Sequence, residues 1–289
     1  MQIPSRATVA PLLALVLAVL AAAPAAAGDA GFRLMDAGLY TPESALHDPA
    51  ADVYLVANIA GHPLLKDGNG FISRVSPAGE VLALRWIDGA ADGVELHAPK
   101  GMAIAGDSLW VADIDVLRAF HRVTGAPLAA VSVPDAAFLN DVALAADGAI
   151  LVSDSHAECL WRLAPDGTVA RFGPERIGSF PNGLAANGVA LWVAAAEPNR
   201  LLKLDTTGES LATVSMPAGG LDGLVLLDDA TLLVSSWEKS AVYRVGRERR
   251  PARVLNELPS PADIGFDAKR RRVLVPLFRE DGLAVIPLP

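Results

Sequence analysis

Four oxygen-bearing side chains recur at related positions along the chain and could together bind one cation. Each occupies the middle of a tripeptide that precedes a short apolar stretch; they are Glu43, Asn140, Asn182 and Asp222. Two are carboxylates and two are carboxamides, and no histidine or cysteine shares their positions. Calcium takes about six to eight oxygen ligands and accepts water for the remainder, whereas zinc prefers nitrogen or sulfur. If the four side chains converge, they predict a divalent-cation site that favours calcium.

The four residues belong to a repeat that predicts where they meet. The middle residues of six aligned tripeptides are Glu43, Lys100, Asn140, Asn182, Asp222 and Ala262. The steps between these positions are 57, 40, 42, 40 and 40 residues. A period of about 40 residues is typical of propeller blades, each a four-stranded sheet. The longer first step predicts an insertion around residues 61–70, which are rich in turn-forming residues.

Short β-branched runs and turn signals predict an all-β fold. Runs such as 53–56, 109–111 and 191–193 are separated by clusters of Gly, Asp, Asn and Pro, a pattern that disfavours repeats of paired helices. We therefore predict a six-bladed β-propeller in which the N-terminal strand, within residues 32–40, completes the sixth blade. Innermost strands line the channel of a propeller, so equivalent positions should converge on its axis at one height.

We call the six middle residues of the aligned tripeptides, from Glu43 to Ala262, the column. Two of its features leave alternatives open. Asn182-Gly183 and Asp222-Gly223 could be tight-turn dipeptides, although Glu43 and Asn140 are not followed by glycine, so the whole column favours metal binding. An ammonium group at Lys100 would repel a cation if it pointed at the axis. It could instead bind an anionic group of a substrate, or swing away to pair with a carboxylate such as Asp141, which is the arrangement we favour.

The N-terminus has the layout of a secretory signal peptide. Arg6 precedes the apolar run 11–20, and small residues at 25–27 precede Gly28. This predicts cleavage after residue 27, a single mature domain over 28–289, and a periplasmic or secreted location. The alternative is an uncleaved membrane anchor, which the Ala-rich composition and Pro24 disfavour.

Composition excludes several other classes of function. The chain has 289 residues, of which 52% are hydrophobic, and a net charge of −9. This argues against disorder and against a nucleic-acid partner. The single cysteine, Cys159, cannot form an internal disulfide, and we expect it to be a small buried hydrophobe. Neither a phosphate loop, a dinucleotide fingerprint nor a serine nucleophile elbow is present.

The tripeptides Pro42-Glu43-Ser44, Leu139-Asn140-Asp141, Pro181-Asn182-Gly183 and Leu221-Asp222-Gly223 resemble those of a known family. It is the senescence-marker-protein (regucalcin)/gluconolactonase family, with relatives among six-bladed phosphotriesterases and paraoxonases. The resemblance implies a propeller in which Glu43, Asn182 and Asp222 bind a catalytic divalent metal. Asn140 would complete the shell or contact the substrate. Family members hydrolyse lactones or related esters.

The resemblance suggests a hydrolase, with carboxylates near the metal as candidate bases. Asp222 is the first candidate, Asp141 the second and Asp263 a weaker third. Lys100 and His97, which precedes the second tripeptide, are candidates for substrate binding at the channel mouth. The expected partner is a small-molecule lactone or ester, with no nucleic acid and no membrane after signal cleavage; no particular protein partner is indicated. The alternative is a non-enzymatic propeller that binds a ligand or a protein around a structural metal.

One departure from the family pattern bears on the substrate. Gluconolactonase-like members often carry an arginine just before the asparagine of the third blade, where it helps to hold a sugar acid. Here Phe138 and Leu139 precede Asn140. This argues against a sugar-acid lactone and leaves room for a more apolar substrate.

Overall fold

A computed structural model describes residues 30–228 and 230–289, with the side chain of residue 197 excepted. The predicted signal peptide, 1–27, lies outside the described residues. Within them, 24 strands form six antiparallel four-stranded sheets. The fold is an all-β, six-bladed β-propeller, as the repeat predicts. No helix among the described residues is long and apolar enough to span a membrane.

The strands follow the repeat blade by blade. The N-terminal strand β1 (Phe32–Leu34) is followed by the first blade, which contains β2 (Pro42–Asp48), β3 (Val53–Asn58), β4 (Phe71–Val75) and β5 (Val81–Asp88). The second contains β6 (Pro99–Ala105), β7 (Ser108–Asp113), β8 (Val116–His121) and β9 (Pro127–Ser132). The third contains β10 (Leu139–Leu144), β11 (Ile150–Asp154), β12 (Cys159–Leu163) and β13 (Val169–Phe172).

The remaining three blades keep the same order. The fourth contains β14 (Ser179–Asn187), β15 (Ala190–Glu197), β16 (Arg200–Asp205) and β17 (Ser210–Ser215). The fifth contains β18 (Leu221–Asp228), β19 (Thr231–Ser236), β20 (Ala241–Val245) and β21 (Pro251–Leu255). The sixth contains β22 (Gly265–Asp267), β23 (Arg272–Leu277) and β24 (Gly282–Pro287) from the C-terminus.

The N-terminal strand closes the ring. Strand β1 pairs antiparallel with β24, so that Phe32 lies opposite Val285 and Leu34 opposite Leu283. The sixth sheet thereby gains its outermost strand from the opposite end of the chain. This confirms the predicted closure, which covers a β24 edge that would otherwise be open to pairing with another chain.

The apolar side chains pack mainly between neighbouring blades. Trp161 of the third blade packs with Ala112 and Leu117 of the second, and Cys159 lies in the same cluster. Cys159 is buried, as predicted, and burial raises the pKa of its thiol to about 11. The thiol is therefore held in its neutral, unreactive form.

The innermost strands are irregular at the tripeptides. Pairing with the second strand shifts register between Pro42 and Ser44 in the first blade, and between Pro181 and Leu184 in the fourth. Similar shifts occur in blades two, three and five. A bulge bends the strand and re-aims a side chain. Five of the six predicted column residues, all except Ala262, lie at these bulges, which direct them towards the axis.

The predicted insertion forms a long connection in the first blade. Residues 59–70 join β3 to β4, where the second blade needs only residues 114–115 between β7 and β8. Ile59 and Pro63, both in this connection, line the cavity at one end of the channel. The insertion that lengthens the first repeat therefore contributes directly to the site.

Candidate metal and substrate site

Five residues of the predicted column line one cavity at one end of the channel, here called the upper cavity. They are Glu43, Lys100, Asn140, Asn182 and Asp222, and the volume of the cavity is about 340 Å³. All five side chains belong to residues that are at least 94% buried. Ala262, the column residue of the sixth blade, does not line it. The rotation between blades therefore brings the four predicted oxygen donors and Lys100 to a common cavity.

Each predicted oxygen donor carries one buried oxygen that has no hydrogen-bond partner. These atoms are Oε2 of Glu43 and the Oδ1 atoms of Asn140, Asn182 and Asp222. A buried acceptor without a partner is unfavourable and rare in folded proteins. A divalent cation bound between these four oxygens would give each of them a partner. The residues present therefore fit a hard cation such as calcium, which binds carboxylate and amide oxygens.

Neighbouring side chains orient two of these donors. Nδ2 of Asn140 donates to Oγ of Ser155 at 2.9 Å, and that hydroxyl donates to the carbonyl of Pro181 at 2.7 Å. Nε1 of Trp237 donates to Oδ2 of Asp222 at 2.5 Å. In both cases one side of the planar group is held, so its unpaired oxygen has a fixed position at the cavity.

The carboxylates are held in an environment that opposes their ionisation. Burial and the negative charge of Asp263 raise the pKa of Asp222 to about 8, against hydrogen bonds that lower it. Burial, followed by the charge of Asp222, raises the pKa of Glu43 well above its ordinary value. A divalent cation favours the ionised forms of both groups. No group of three or more His, Cys, Asp or Glu suited to a metal occurs among the described residues, and only two of the four oxygen donors at this site are carboxylates.

Lys100 faces the upper cavity and is not paired with Asp141. Its Nζ donates to the carbonyls of Ala98 and Pro63, at 3.0 and 3.2 Å, and lies 4.5 Å from the centre of the Phe138 ring. Burial lowers the pKa of Lys100 to about 8, while the charge of Glu43 opposes that shift. We expected Lys100 to swing away from the axis and pair with a carboxylate such as Asp141. Instead it lines the cavity, and its ammonium group contacts two carbonyl groups and an aromatic face.

Asp141 is not in the upper cavity. Its two oxygens accept backbone N–H groups of Val142 and Leu184, at 2.6 and 2.5 Å. Asp141 lines a separate cavity at the other end of the channel, together with Ser44 and Asp263. The hydroxyl of Ser44 donates to Oδ2 of Asp263 at 2.7 Å. Of the three candidate bases, the structure places only Asp222 in the upper cavity.

His97 is also directed away from the upper cavity. Its Nδ1 accepts the backbone N–H of Gly68 at 3.0 Å, and its Nε2 lies 3.1 Å from Oε1 of Glu95. The imidazole therefore anchors the long connection 59–70, and His97 does not line the cavity. The structure does not bring it to the predicted substrate-binding position.

The glycines after two column residues are not turn residues. Gly183 and Gly223 lie within strands β14 and β18. A Cβ at Gly183 would overlap the carbonyl oxygen of Asp222, and one at Gly223 would overlap the backbone N of Ile264. These glycines allow the innermost strands of adjacent blades to approach closely. The turn interpretation of both dipeptides is therefore wrong.

Aromatic side chains that the sequence analysis did not assign form much of the cavity wall. They are Phe138, Phe180, Trp237 and Phe278. A repeat signal could have found them. Phe138 and Phe180 each lie two residues before a column asparagine, and Trp237 and Phe278 each directly follow the second strand of a blade. Equivalent positions in a propeller project to the same end of the channel.

Solved structures share this architecture over most of the chain. A gluconolactonase from Xanthomonas campestris superposes with a TM-score of 0.69 at 18% identity, covering 90% of both chains. The fold is that of the gluconolactonase-type six-bladed propellers. A putative gluconolactonase has a TM-score of 0.67 at 19% identity, covering 90% of this chain and 94% of its own.

The gluconolactonase-type architecture extends to proteins with other chemistry. Virginiamycin B lyase from Staphylococcus aureus has a TM-score of 0.67 at 14% identity, covering 90% of this chain and 99% of its own. The sequence matches no protein-family model and no curated protein. At these identities the likeness concerns the fold, so the function must be argued from the site.

Proposed function

We propose that this gluconolactonase-type propeller is a divalent-cation-dependent hydrolase of a lactone or related ester, with calcium as the favoured ion. The observation that carries the proposal is the set of four unpaired buried oxygens, on Glu43, Asn140, Asn182 and Asp222. They lie on an accessible cavity, since Phe180 in its wall is 41% exposed. An accessible cation can act on a substrate as well as stabilise the fold.

The residues of the cavity supply distinct parts of the reaction. A bound divalent cation would polarise an ester carbonyl and lower the pKa of bound water. Asp222 accepts a proton from the attacking water, because it is the only one of the three candidate bases, Asp222, Asp141 and Asp263, that lines the cavity. Attack at the carbonyl carbon breaks the acyl carbon–oxygen bond, and the proton passes from Asp222 to the departing alkoxide. Lys100 can hold the carboxylate product, since it lines the same cavity.

The non-enzymatic alternative requires a different coordination of the cation at the same site. A purely structural cation needs a closed shell of protein ligands, whereas a catalytic ion keeps positions for water and substrate. Four donors leave coordination positions of calcium unfilled, and Lys100 is tied to the carbonyls of Ala98 and Pro63. These features favour the hydrolase.

The first test combines cation removal with one substitution. Purified protein is assayed on a panel of lactones and esters, after chelation and after calcium is restored. We expect hydrolysis only with the cation, and Asp222→Ala to lower kcat/KM by at least about 100-fold, in line with other catalytic electrostatic groups. Asp228→Ala is the matched control, because Asp228 lies on the same strand but is exposed.

Two results would reject this mechanism: activity that persists in chelator, and full activity in Asp222→Ala. Reaction in ¹⁸O-labelled water separates hydrolysis from elimination, since only hydrolysis incorporates the label into the acid product. Calorimetry of cation binding to the same two variants shows whether Asp222 also holds the ion.

We also propose that residues 1–27 direct export and are removed, so that the protein acts in the periplasm or outside the cell. Mass spectrometry of protein isolated from that compartment should show a chain that begins near Gly28. A chain that retains Met1 would contradict this.

A further inference from the structure

The upper cavity has a polar floor and apolar sides. The floor consists of the four oxygen donors and Lys100, and the sides include Ile59, Pro63, Phe138, Phe180, Trp237 and Phe278. Among the residues the structure describes, no side chain with a hydroxyl group and no arginine or histidine lines this cavity. The one side-chain N–H group among these residues of the sides, Nε1 of Trp237, already donates to Asp222. The sides therefore offer no side-chain partner for substrate hydroxyl groups.

One aromatic pair lies where the third and fourth blades meet. The ring centres of Phe138 and Phe180 are 6.1 Å apart. His156 stacks behind Phe138 at 4.7 Å and meets Phe180 edge-on at 5.5 Å. These contacts hold both phenyl rings in place beside the cavity.

Phe180 adopts a backbone conformation that aromatic residues rarely take. Its φ is 58°, in the left-handed region, which is a true outlier for a bulky residue and is found mainly where surrounding structure enforces it. Its side chain is nevertheless 41% exposed while lining the cavity. An exposed phenyl ring on a strained backbone contributes little to the core, which points to a role in contacting a ligand.

The second aromatic pair belongs to the fifth and sixth blades. Trp237 and Phe278 have ring centres 5.1 Å apart, and the indole is fixed by its hydrogen bond to Asp222. The two pairs thus flank the oxygen floor from different blades. Aromatic rings of a ligand pair favourably with such rings in offset or edge-to-face geometry.

We propose that the substrate is a lactone or ester that carries an aromatic ring, with its carbonyl on the oxygen floor and its ring between the two aromatic pairs. This rests on the proposed function. The volume of about 340 Å³ accommodates roughly a dozen non-hydrogen atoms at about 30 Å³ each, the volume of one water. A polyhydroxylated lactone is disfavoured, because hydroxyl groups placed against the apolar sides would lose water without gaining side-chain partners there.

A matched series of six-membered lactones tests the proposal. Kinetics are measured for unsubstituted, phenyl-substituted and polyhydroxylated δ-lactones, which share the reacting ring. We expect the phenyl compound to exceed the unsubstituted one in kcat/KM by at least about 10-fold, and the polyhydroxylated compound to be the poorest. Equal rates, or preference for the polyhydroxylated lactone, would overturn the proposal.

The variant Phe180→Ala tests whether the aromatic side chains of the cavity cause the preference for the phenyl-substituted lactone. We expect this variant to reduce the phenyl-to-unsubstituted ratio at least about 5-fold. Leu211→Ala is the control, because Leu211 is an exposed apolar residue of the same blade, on its outermost strand, and should leave the ratio unchanged. A ratio that is unchanged in Phe180→Ala would overturn the proposal. Melting temperatures verify that both variants fold.

A binding experiment separates this inference from the proposed function. Phenyl-substituted and unsubstituted δ-lactams resist hydrolysis, so their affinities can be measured by calorimetry in the presence of calcium. We expect the phenyl lactam to bind at least about 10-fold more tightly, with the advantage lost in Phe180→Ala. If no lactone is hydrolysed but this preference is found, the hydrolase proposal fails and the ligand class stands. If the lactams bind equally, the ligand class fails whether or not hydrolysis occurs.

Discussion

The orientation of a single amide group shows how the site depends on residues outside the cavity. Asn140 could present either its oxygen or its nitrogen to a cation. Because Ser155 accepts the Nδ2 hydrogen bond at 2.9 Å, Oδ1 is the atom left unpaired at the cavity. Ser155 is itself fixed by the carbonyl of Pro181, which is next to another donor, Asn182. Such supporting contacts tune the affinity of a metal site without touching the metal.

We therefore predict that Ser155→Ala weakens calcium binding by about 10-fold, because Asn140 loses the contact that fixes its amide. Calorimetric titration measures the dissociation constant. Ser73→Ala is a matched control, since the hydroxyl of Ser73 accepts Nδ2 of Asn58 at 3.2 Å in the first blade, in a pair that lines no part of the upper cavity. Equal calcium affinities in the two variants would show that Ser155 does not position a ligand.

At the scale of the strand, the site depends on how closely the innermost strands approach the axis. Gly101, Gly183 and Gly223 each follow a column residue, and a Cβ at any of them would overlap an atom of the adjacent blade. Gly101 faces Oδ1 of Asp141 in this way. The bulge and the glycine act together. The bulge directs the column side chain towards the axis, and the glycine, which has no Cβ, allows the backbone of the neighbouring blade to approach closely.

Gly183→Ala is predicted to lower the free energy of unfolding by about 2 kcal/mol, the usual scale of overpacking. It should also weaken calcium binding, since the clash is with the backbone of Asp222. Gly188→Ala is the control, because Gly188 lies just beyond the end of the same strand and a Cβ there meets no atom within 4 Å. Urea unfolding and calcium titration of both variants check this. Comparable stability and affinity would contradict the role assigned to the close approach.

At the scale of the whole molecule, charged contacts between blades supplement the closure by β1 and β24. Arg122 of the second blade binds Asp48 of the first through two hydrogen bonds, one of them 2.8 Å from Nε to Oδ2. Arg270 of the sixth blade binds Asp52, between β2 and β3, with two contacts of 2.7 Å. The first blade is therefore tied by ion pairs to both of its neighbours, the second and the sixth blades.

The contact between Arg122 and Asp48 makes stability depend on pH. The hydrogen bond from Arg122 lowers the pKa of Asp48 below its ordinary value, although burial opposes this. Because the pKa of Asp48 is lower in the folded state, the pair stabilises the protein fully at pH values above the unfolded-state pKa of about 3.9. This stabilisation is lost as the pH falls through the folded-state pKa.

Arg122→Met should therefore lower the free energy of unfolding by about 2 kcal/mol near neutral pH, as expected for loss of hydrogen bonds to a charged group. The decrease should become progressively smaller below about pH 4. Chemical unfolding at a series of pH values measures the difference. Arg162→Met is the control, because Arg162 pairs with the exposed Asp147, and exposed ion pairs contribute little to stability. A pH-independent difference for Arg122→Met would contradict the assignment.

Much of the architecture and part of the site could be predicted from local patterns. The period of about 40 residues predicted six blades, and the phase of the tripeptides predicted that Glu43, Asn140, Asn182 and Asp222 line one cavity. Both predictions succeed because a propeller converts sequence period directly into rotation about an axis. Residue type at one phase of the repeat then determines the chemistry available at one height of the channel.

The directions of Lys100, Asp141 and His97 were decided only by tertiary structure. Neighbours in sequence such as Asn140 and Asp141 line opposite ends of the channel. The bulge separates their directions, and the backbone N–H groups of Val142 and Leu184 hold the carboxylate of Asp141 away from the upper cavity. His97 is drawn away by Gly68, 29 residues earlier in the chain. The aromatic walls likewise combine side chains of four blades, so their common cavity exists only once the ring is closed. Repeat phase determines the height of a residue in the channel, whereas contacts between distant segments determine its direction.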